Sequence, residues 1–280
     1  MHAVPLAFPS RSLENNPMSS PSPIYTIDNC HSAYQLNWSL SIFWRESVQG
    51  QDAVWLTALQ AATEPDGVRI LEHRFIQPDV SQFLISTRPE ISPQQMVRSV
   101  KGRLQYFFRQ KLSKAFQRNY GLRSIGSAKR EEVERYVRGQ IDHHPMVDAR
   151  VQEMLRTLQI SNPHVDLSAP RQNAHALYWY NLHVCFVNEE RCREFCKETL
   201  EKMRTMILRA AEKKGHLLSR AGIVPDHIHL TLSCNVAESP GEVAISYMNN
   251  LAYACGSKWV FSFGYYVGTI GEYNLSAVRL

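Results

Sequence analysis

Two histidines flank one apolar residue in the run Ile223-Val224-Pro225-Asp226-His227-Ile228-His229-Leu230-Thr231-Leu232. Residues two apart on a β-strand share a face, so His227 and His229 would project side by side while Ile228 and Leu230 enter the opposite layer. Two neutral imidazoles on a rigid strand supply half of a divalent-metal site. The same spacing also describes the polar face of an ordinary amphipathic strand. A third ligand and a reactive group elsewhere in the chain have to decide between the two.

A second feature with chemical content is a charge concentration. The chain carries a net charge of only +5, but Lys101 to Arg138 holds eleven Lys or Arg against three Glu, a local excess of +8. Tyr106, Phe107, Phe108, Phe116 and Tyr120 are interleaved with these cations. A basic, aromatic-bearing face suits a nucleic-acid backbone with unstacked bases; a solvated helix face is the plainer alternative. The six cysteines are scattered. Cys192 and Cys196 lie four apart on an expected helix, but no second pair accompanies them, so all six read as reduced, mostly buried thiols.

These residues need elements to hold them, and 280 residues suffice for one large domain or two ordinary ones. An apolar content of 44% is that of a soluble globular protein, and no apolar run approaches the ~20 residues of a membrane span. The first residues, to about Ser22, are rich in Pro, Ser and Asn and lack a signal peptide's charged start and apolar core. A disordered tail, a cytoplasmic, nucleoid-associated location and no membrane partner are therefore expected.

The patterning predicts a strand over Tyr34 to Trp44, a helix over Gln51 to Ala62, and strands over Val68 to Phe75 and Gln82 to Ser86. Ser92-Pro93 caps a helix to about Leu112. A strand near Leu122-Ile125 and a helix from about Ala128 to Gln140 follow. The second half repeats the order: strand Tyr178 to Val187, helix Glu189 to Lys213, strands His216 to Val224 and His227 to Ser233, a Ser239-Pro240 helix start, and a strand over Trp259 to Thr269. An offset of 147 residues superposes Pro78-Asp79 on Pro225-Asp226, Ser92-Pro93 on Ser239-Pro240, Leu104 on Leu251 and Tyr106 on Tyr253. With small gaps, Tyr34 and Asn37 match Tyr178 and Asn181, and Ser124-Ile125-Gly126 matches Thr269-Ile270-Gly271.

The expected fold class is α+β: two tandem ferredoxin-like domains, each an antiparallel sheet with helices on one face. Residues 1–33 form the tail and lead-in, 34–140 the first domain, 141–174 a linker with a helix, and 175–280 the second domain.

The stretch Pro225-Asp226-His227-Ile228-His229-Leu230, set between an apolar strand and a Ser-Pro helix, resembles the HUH motif of single-tyrosine transposases, the TnpA-type enzymes of insertion sequences and their REP-associated relatives. Gly264-Tyr265-Tyr266-Val267-Gly268-Thr269-Ile270-Gly271 is similar to the strand and turn before that family's catalytic helix. The resemblance covers about residues 34 to 140 and 175 to 280. It implies a Tyr nucleophile, with a Gln one turn later that completes a metal site.

Each half departs from the pattern differently. The first half has Val80-Ser81-Gln82 where the triplet should stand, yet Val133 to Gln140 matches the catalytic helix, with Tyr136 as nucleophile and Gln140 four residues on. The second half has both histidines, and its aligned helix, near Ser276 to Leu280, does not reach the expected Tyr. In the family's homodimer, the Tyr helix of one subunit can serve the other's HUH site. The resemblance thus implies an internal pseudo-dimer with one composite site, open to higher oligomers. In it Tyr136 is catalytic, and His227, His229 and Gln140 hold Mg²⁺ or Mn²⁺. The substrate would be single-stranded, hairpin-containing DNA, contacted by Lys101, Arg103, Arg109, Arg135 and Arg138, with Trp259 and Tyr266 stacking on bases.

Tyr265, Tyr266 and Tyr273 compete with Tyr136 as nucleophiles. Two other readings stay open: a catalytically inactive, domesticated hairpin-binding protein acting as a repressor, and an interaction scaffold without DNA affinity.

Overall fold

The computed structural model describes residues 22–47, 52–256 and 260–272. The expected tail, Trp259, Tyr273 and the Ser276 to Leu280 segment lie outside these residues. The elements run β1 (His31–Gln35), β2 (Asn37–Trp44), α1 (Asp52–Thr63), β3 (Val68–Gln77), β4 (Val80–Thr87), α2 (Pro93–Phe108), β5 (Phe116–Ile125) and α3 (Arg130–Arg138). A connector follows, with α4 (Gln140–His143), α5 (Ala149–Leu158), β6 (Ile160–Ser161) and β7 (Arg171–Gln172). The second half comprises β8 (Ala176–Trp179), β9 (Asn181–Asn188), α6 (Lys197–Lys214), β10 (Leu217–Val224), β11 (His227–Ser233), α7 (Pro240–Ala254) and β12 (Phe261–Thr269).

The architecture is α+β, with two six-stranded sheets that mirror one another. One has the order β3-β4-β2-β5-β8-β7, the other β1-β12-β9-β11-β10-β6. Within each half the strands are antiparallel, as expected, but the leading strands are exchanged. β1 pairs in parallel with β12 of the second half, and β8 pairs in parallel with β5 of the first. The single strand expected from Tyr34 to Trp44 therefore breaks at Leu36, where the chain leaves one sheet for the other. Tyr180 marks the same crossing in the second half, and both side chains are fully buried.

The local chemistry of the two halves matches closely. Ser92 and Ser239 each cap a helix with a reciprocal capping box, to Gln95 and Glu242, and each is followed by Pro in the first turn. The two caps meet where the halves join: Gly241 N donates to Pro89 O at 2.7 Å and Gln94 N to Val236 O at 2.9 Å. At the crossing, Thr269 Oγ1 accepts from Asn37 N at 2.9 Å, and Ser124 Oγ accepts from Asn181 N at 3.2 Å. One continuous core, from Trp38, Leu40 and Phe83 to Phe186, Ile228 and Leu251, fills both halves. Among the described residues, no helix is long and apolar enough to cross a membrane.

The helix expected from Glu189 begins only at Lys197. The preceding segment forms one tight turn, with Glu190 and Arg191 at φ 50° and 54°. Cys192 N donates to Glu189 O to close the turn, and the segment is tied to its neighbours as well: Glu189 N donates to Val260 O, Glu194 N to Pro225 O, and Asn188 Nδ2 to Pro225 O.

Candidate active site at the junction of the halves

α6 and α7 cover one face of the second sheet, so the alternation of β11 buries Ile228 and Leu230 against them. His227 and His229 point to the opposite face. Register places Cys185 beside His229 on β9 and Gly222 beside it on β10, and His183 beside Thr231. All of these share the face with the two histidines.

What covers that face comes from the other half. α3 leaves β5 of the first sheet, crosses the junction and lies on β10 and β11. Its acidic first turn and basic last turn complement the helix dipole. Glu134, buried on its underside, accepts from Ser219 Oγ on β10 and pairs with Arg130 at 2.6 Å. Val137 is buried beside it, and Gly222 provides the clearance: a Cβ there would lie 2.9 Å from Gln140 Cγ and 3.1 Å from Val137 O.

This seating brings Tyr136 over the histidines. Its ring centroid is 5.5 Å from that of His229 and 6.4 Å from that of His183, edge-on to both. Tyr136 keeps 45% of its surface exposed, so a large substrate can reach it. Gln140 is fully buried at the start of α4. Its Nε2 donates to Tyr136 O at 3.4 Å, which turns Oε1 toward His227 Nε2, 3.3 Å away.

Burial pulls the His227 imidazole below its usual pKa, against the opposing Asp226 carboxylate. Asp226 is held ionised by His227 despite its own burial, so His227 Nδ1 donates to Asp226 Oδ1 at 2.8 Å. His227 Nε2 and Gln140 Oε1 then both present lone pairs to each other with no proton between them. Two ligands each about 2.1 Å from an octahedral Mg²⁺ lie about 3 Å apart, which the spacing accommodates. His229, 4.9 Å from His227 between ring centroids, is bonded at Nδ1 to His183 Nε2 at 2.9 Å. Burial, reinforced by neighbouring imidazoles, lowers His229 to about 2, and burial alone lowers His183 to about 4, so both are neutral. Among the described residues no three His, Cys, Asp or Glu side chains group as a metal site; a third donor beside His227 and His229 would have to be the Gln140 amide.

The first half's equivalent position is filled. Gln82, where His229 would stand, donates to Ser39 Oγ at 2.9 Å and accepts from Arg74 Nε at 3.1 Å. Arg74 occupies the register position that Gly222 keeps open in the second half.

The model of the IS200-like transposases matches residues 49–140 and again 176–279. The chain belongs to that family. The double match fits the tandem arrangement of this transposase-family chain's two halves. A candidate transposase of Deinococcus radiodurans R1 matches at 15% identity over 39% of this chain and 92% of its own, with a TM-score of 0.30. A REP-associated tyrosine transposase bound to a REP hairpin matches at 12% identity over 34% of this chain, with a TM-score of 0.30; this chain spans 58% of that molecule. No curated protein matches the chain significantly.

The residues expected from the sequence thus fall into two groups. Tyr136, Gln140, His227 and His229 come together, and Arg135 and Arg138 are exposed on the same helix as Tyr136. The α2 cations are engaged elsewhere. Lys101 Nζ donates to Gln117 O and Arg118 O, Arg103 pairs with Asp66 at 3.0 Å, and Arg109 lies over the Tyr106 ring at 4.1 Å. Tyr265 is buried, and Tyr266 packs edge-on to His183 with ring centroids 5.6 Å apart. His183 and Cys185 were not singled out in the sequence. The alternation Asn181-Leu182-His183-Val184-Cys185 carries the signal, since it sends both to the face opposite Leu182 and Val184.

Proposed function

We propose that this transposase-family chain cleaves and rejoins single-stranded DNA through a 5′-phosphotyrosine at one composite site, with Tyr136 and Gln140 from the first half and His227 and His229 from the second. The observation that carries the reading is the position of Tyr136: a first-half helix sets its ring 5.5 Å from the second half's His229. His227, His229 and Gln140 would hold Mg²⁺ or Mn²⁺, which supplies Lewis-acid polarisation of a non-bridging phosphate oxygen.

The chain's own residues do the rest. Asp226 and His183 occupy the Nδ1 atoms of the two histidines and orient the rings; His227 Nε2 faces Gln140 Oε1 at 3.3 Å and His229 Nε2 faces Cys185 Sγ at 3.9 Å, contacts that a bound cation would replace. Tyr136 Oη attacks phosphorus; the Tyr–O–P bond forms as the P–O3′ bond breaks. The phenolic proton passes through solvent, which the half-exposed ring admits, and the leaving strand ends as a 3′-OH. Since one phosphate ester replaces another, a second 3′-OH reverses the step without ATP. Arg135 and Arg138 are placed to meet the DNA backbone beside Tyr136.

The test is a labelled single-stranded hairpin oligonucleotide with Mn²⁺, resolved by denaturing electrophoresis. A covalent adduct is expected from the wild type and from Tyr273→Phe. In Tyr136→Phe it should fall below about one-thousandth of wild type, and in His227→Ala and His229→Ala it should be lost as well. An adduct that survives Tyr136→Phe would sink the composite site. DNA binding with no adduct from the wild type would instead favour the repressor-like reading.

A further inference from the structure

A cleft of about 490 Å³ opens beside His227, within the range of about 300–1,000 Å³ usual for small-ligand sites. Its walls come from three segments distant in sequence: connector residues 143–148, Arg193 and Phe195 from the loop after β9, and the Pro225-Asp226 turn. It adjoins the proposed site through two of its lining residues. The His144 ring on its wall lies 5.1 Å from that of His227, and the Asp226 carboxylate at its base is the one bonded to His227. A group resting there would adjoin a phosphate held at His227.

The lining has the chemistry of a nucleotide subsite. Phe195 and Val147 leave large apolar surfaces in water, at 43% and 109% relative exposure. Arg193 makes no hydrogen bond or ion pair through its side chain among the described residues and stands exposed on the same loop. That loop is fixed in place: Arg191 reaches Asp226 at 3.5 Å, and Glu194 N donates to Pro225 O at 2.9 Å. Glu190 and Arg191 are the non-glycine residues with positive φ among the described residues, a conformation that persists where the surroundings impose it. A flat apolar face beside one unpaired guanidinium matches a base stacked on an aromatic ring with its phosphate on an arginine.

We propose that this cleft receives the nucleobase adjoining the cleaved phosphate, stacked on Phe195, with Arg193 on the neighbouring phosphate. The proposal rests on the strand-transfer reading of Tyr136 and adds to it a determinant of which sequence is cut.

The full-length protein is incubated with a randomised single-stranded oligonucleotide pool and Mn²⁺, and the covalent adducts are isolated and sequenced. In wild-type adducts, one position flanking the joint should depart from the input composition by about ten-fold, the scale of one stacked base. Phe195→Ala and Arg193→Ala should return that position toward the input while still forming adducts, and Phe195→Trp should retain the preference. Adducts of Phe195→Ala and Arg193→Ala with the wild-type preference would overturn the cleft's role and leave the strand-transfer reading standing. No adduct from the wild type would remove that reading, and the cleft's role with it.

Discussion

Gly222 shows how much of the junction turns on single side chains. It lies on β10 opposite His229, and the space a Cβ would take belongs to Gln140 and Val137. Gly222→Ala should therefore push α3 and α4 outward, costing about 1–3 kcal/mol as an overpacked contact, with adduct formation falling by more than the drop in melting temperature accounts for. The corresponding residue of the first half, Arg74, makes the opposite case. Because a guanidinium stands beside position 82 in the register where Gly222 leaves the second half open, restoring the triplet with Val80→His and Gln82→His should not create a second site. Metal titration of that variant by calorimetry should still give one Mn²⁺ per chain, and two per chain would show that the degenerate position is only a missing pair of imidazoles.

At the scale of elements, the sequence is most legible where local rules act alone. The capping boxes at Ser92 and Ser239, the Pro-Asp turns and the His227–Ser233 strand all follow from spacing within a few residues. Two misreadings have non-local causes. Glu189 to Cys196 has helix-compatible composition, and it stays open because Pro225 and Val260, both more than thirty residues away, capture its backbone. Tyr34 to Trp44 reads as one strand because nothing in a period of two records that the hydrogen-bonding partner changes at Leu36. The site was legible as residue types, while the cross-junction seating of α3 depends on Glu134 meeting Ser219, which no local pattern announces. The α7 cap supplies a pH test. Burial pushes the Glu238 carboxyl up, but the 2.8 Å bond from His216 and the nearby Lys214 outweigh it, so its folded pKa lies below the ordinary 4.5. A depressed carboxyl adds stability above the unfolded-state value and loses it as pH falls through the folded one. Thermal melts between pH 3 and 6 should show the wild type losing stability below about pH 4.5 more steeply than Glu238→Gln; parallel curves would exclude this group.

Across the whole molecule, the exchanged strands make the two halves interdependent. β1 is held by β12, and β8 by β5, so each sheet contains a piece of the other half's chain. A protease site inserted at the exposed Asn162-Pro163-His164 turn should give two fragments that co-elute in native gel filtration and still form the adduct, on the fragment bearing Tyr136. Separate elution would mean that the connector, rather than the strand exchange, holds the pair together. The exchange also bears on assembly. The groove on β12 that a second copy's leading strand would enter is taken up by a strand of the same molecule. Subunits that assemble from separate chains can mix with defective or foreign relatives made in the same cell; here the strand that completes each sheet is always the one synthesised with it.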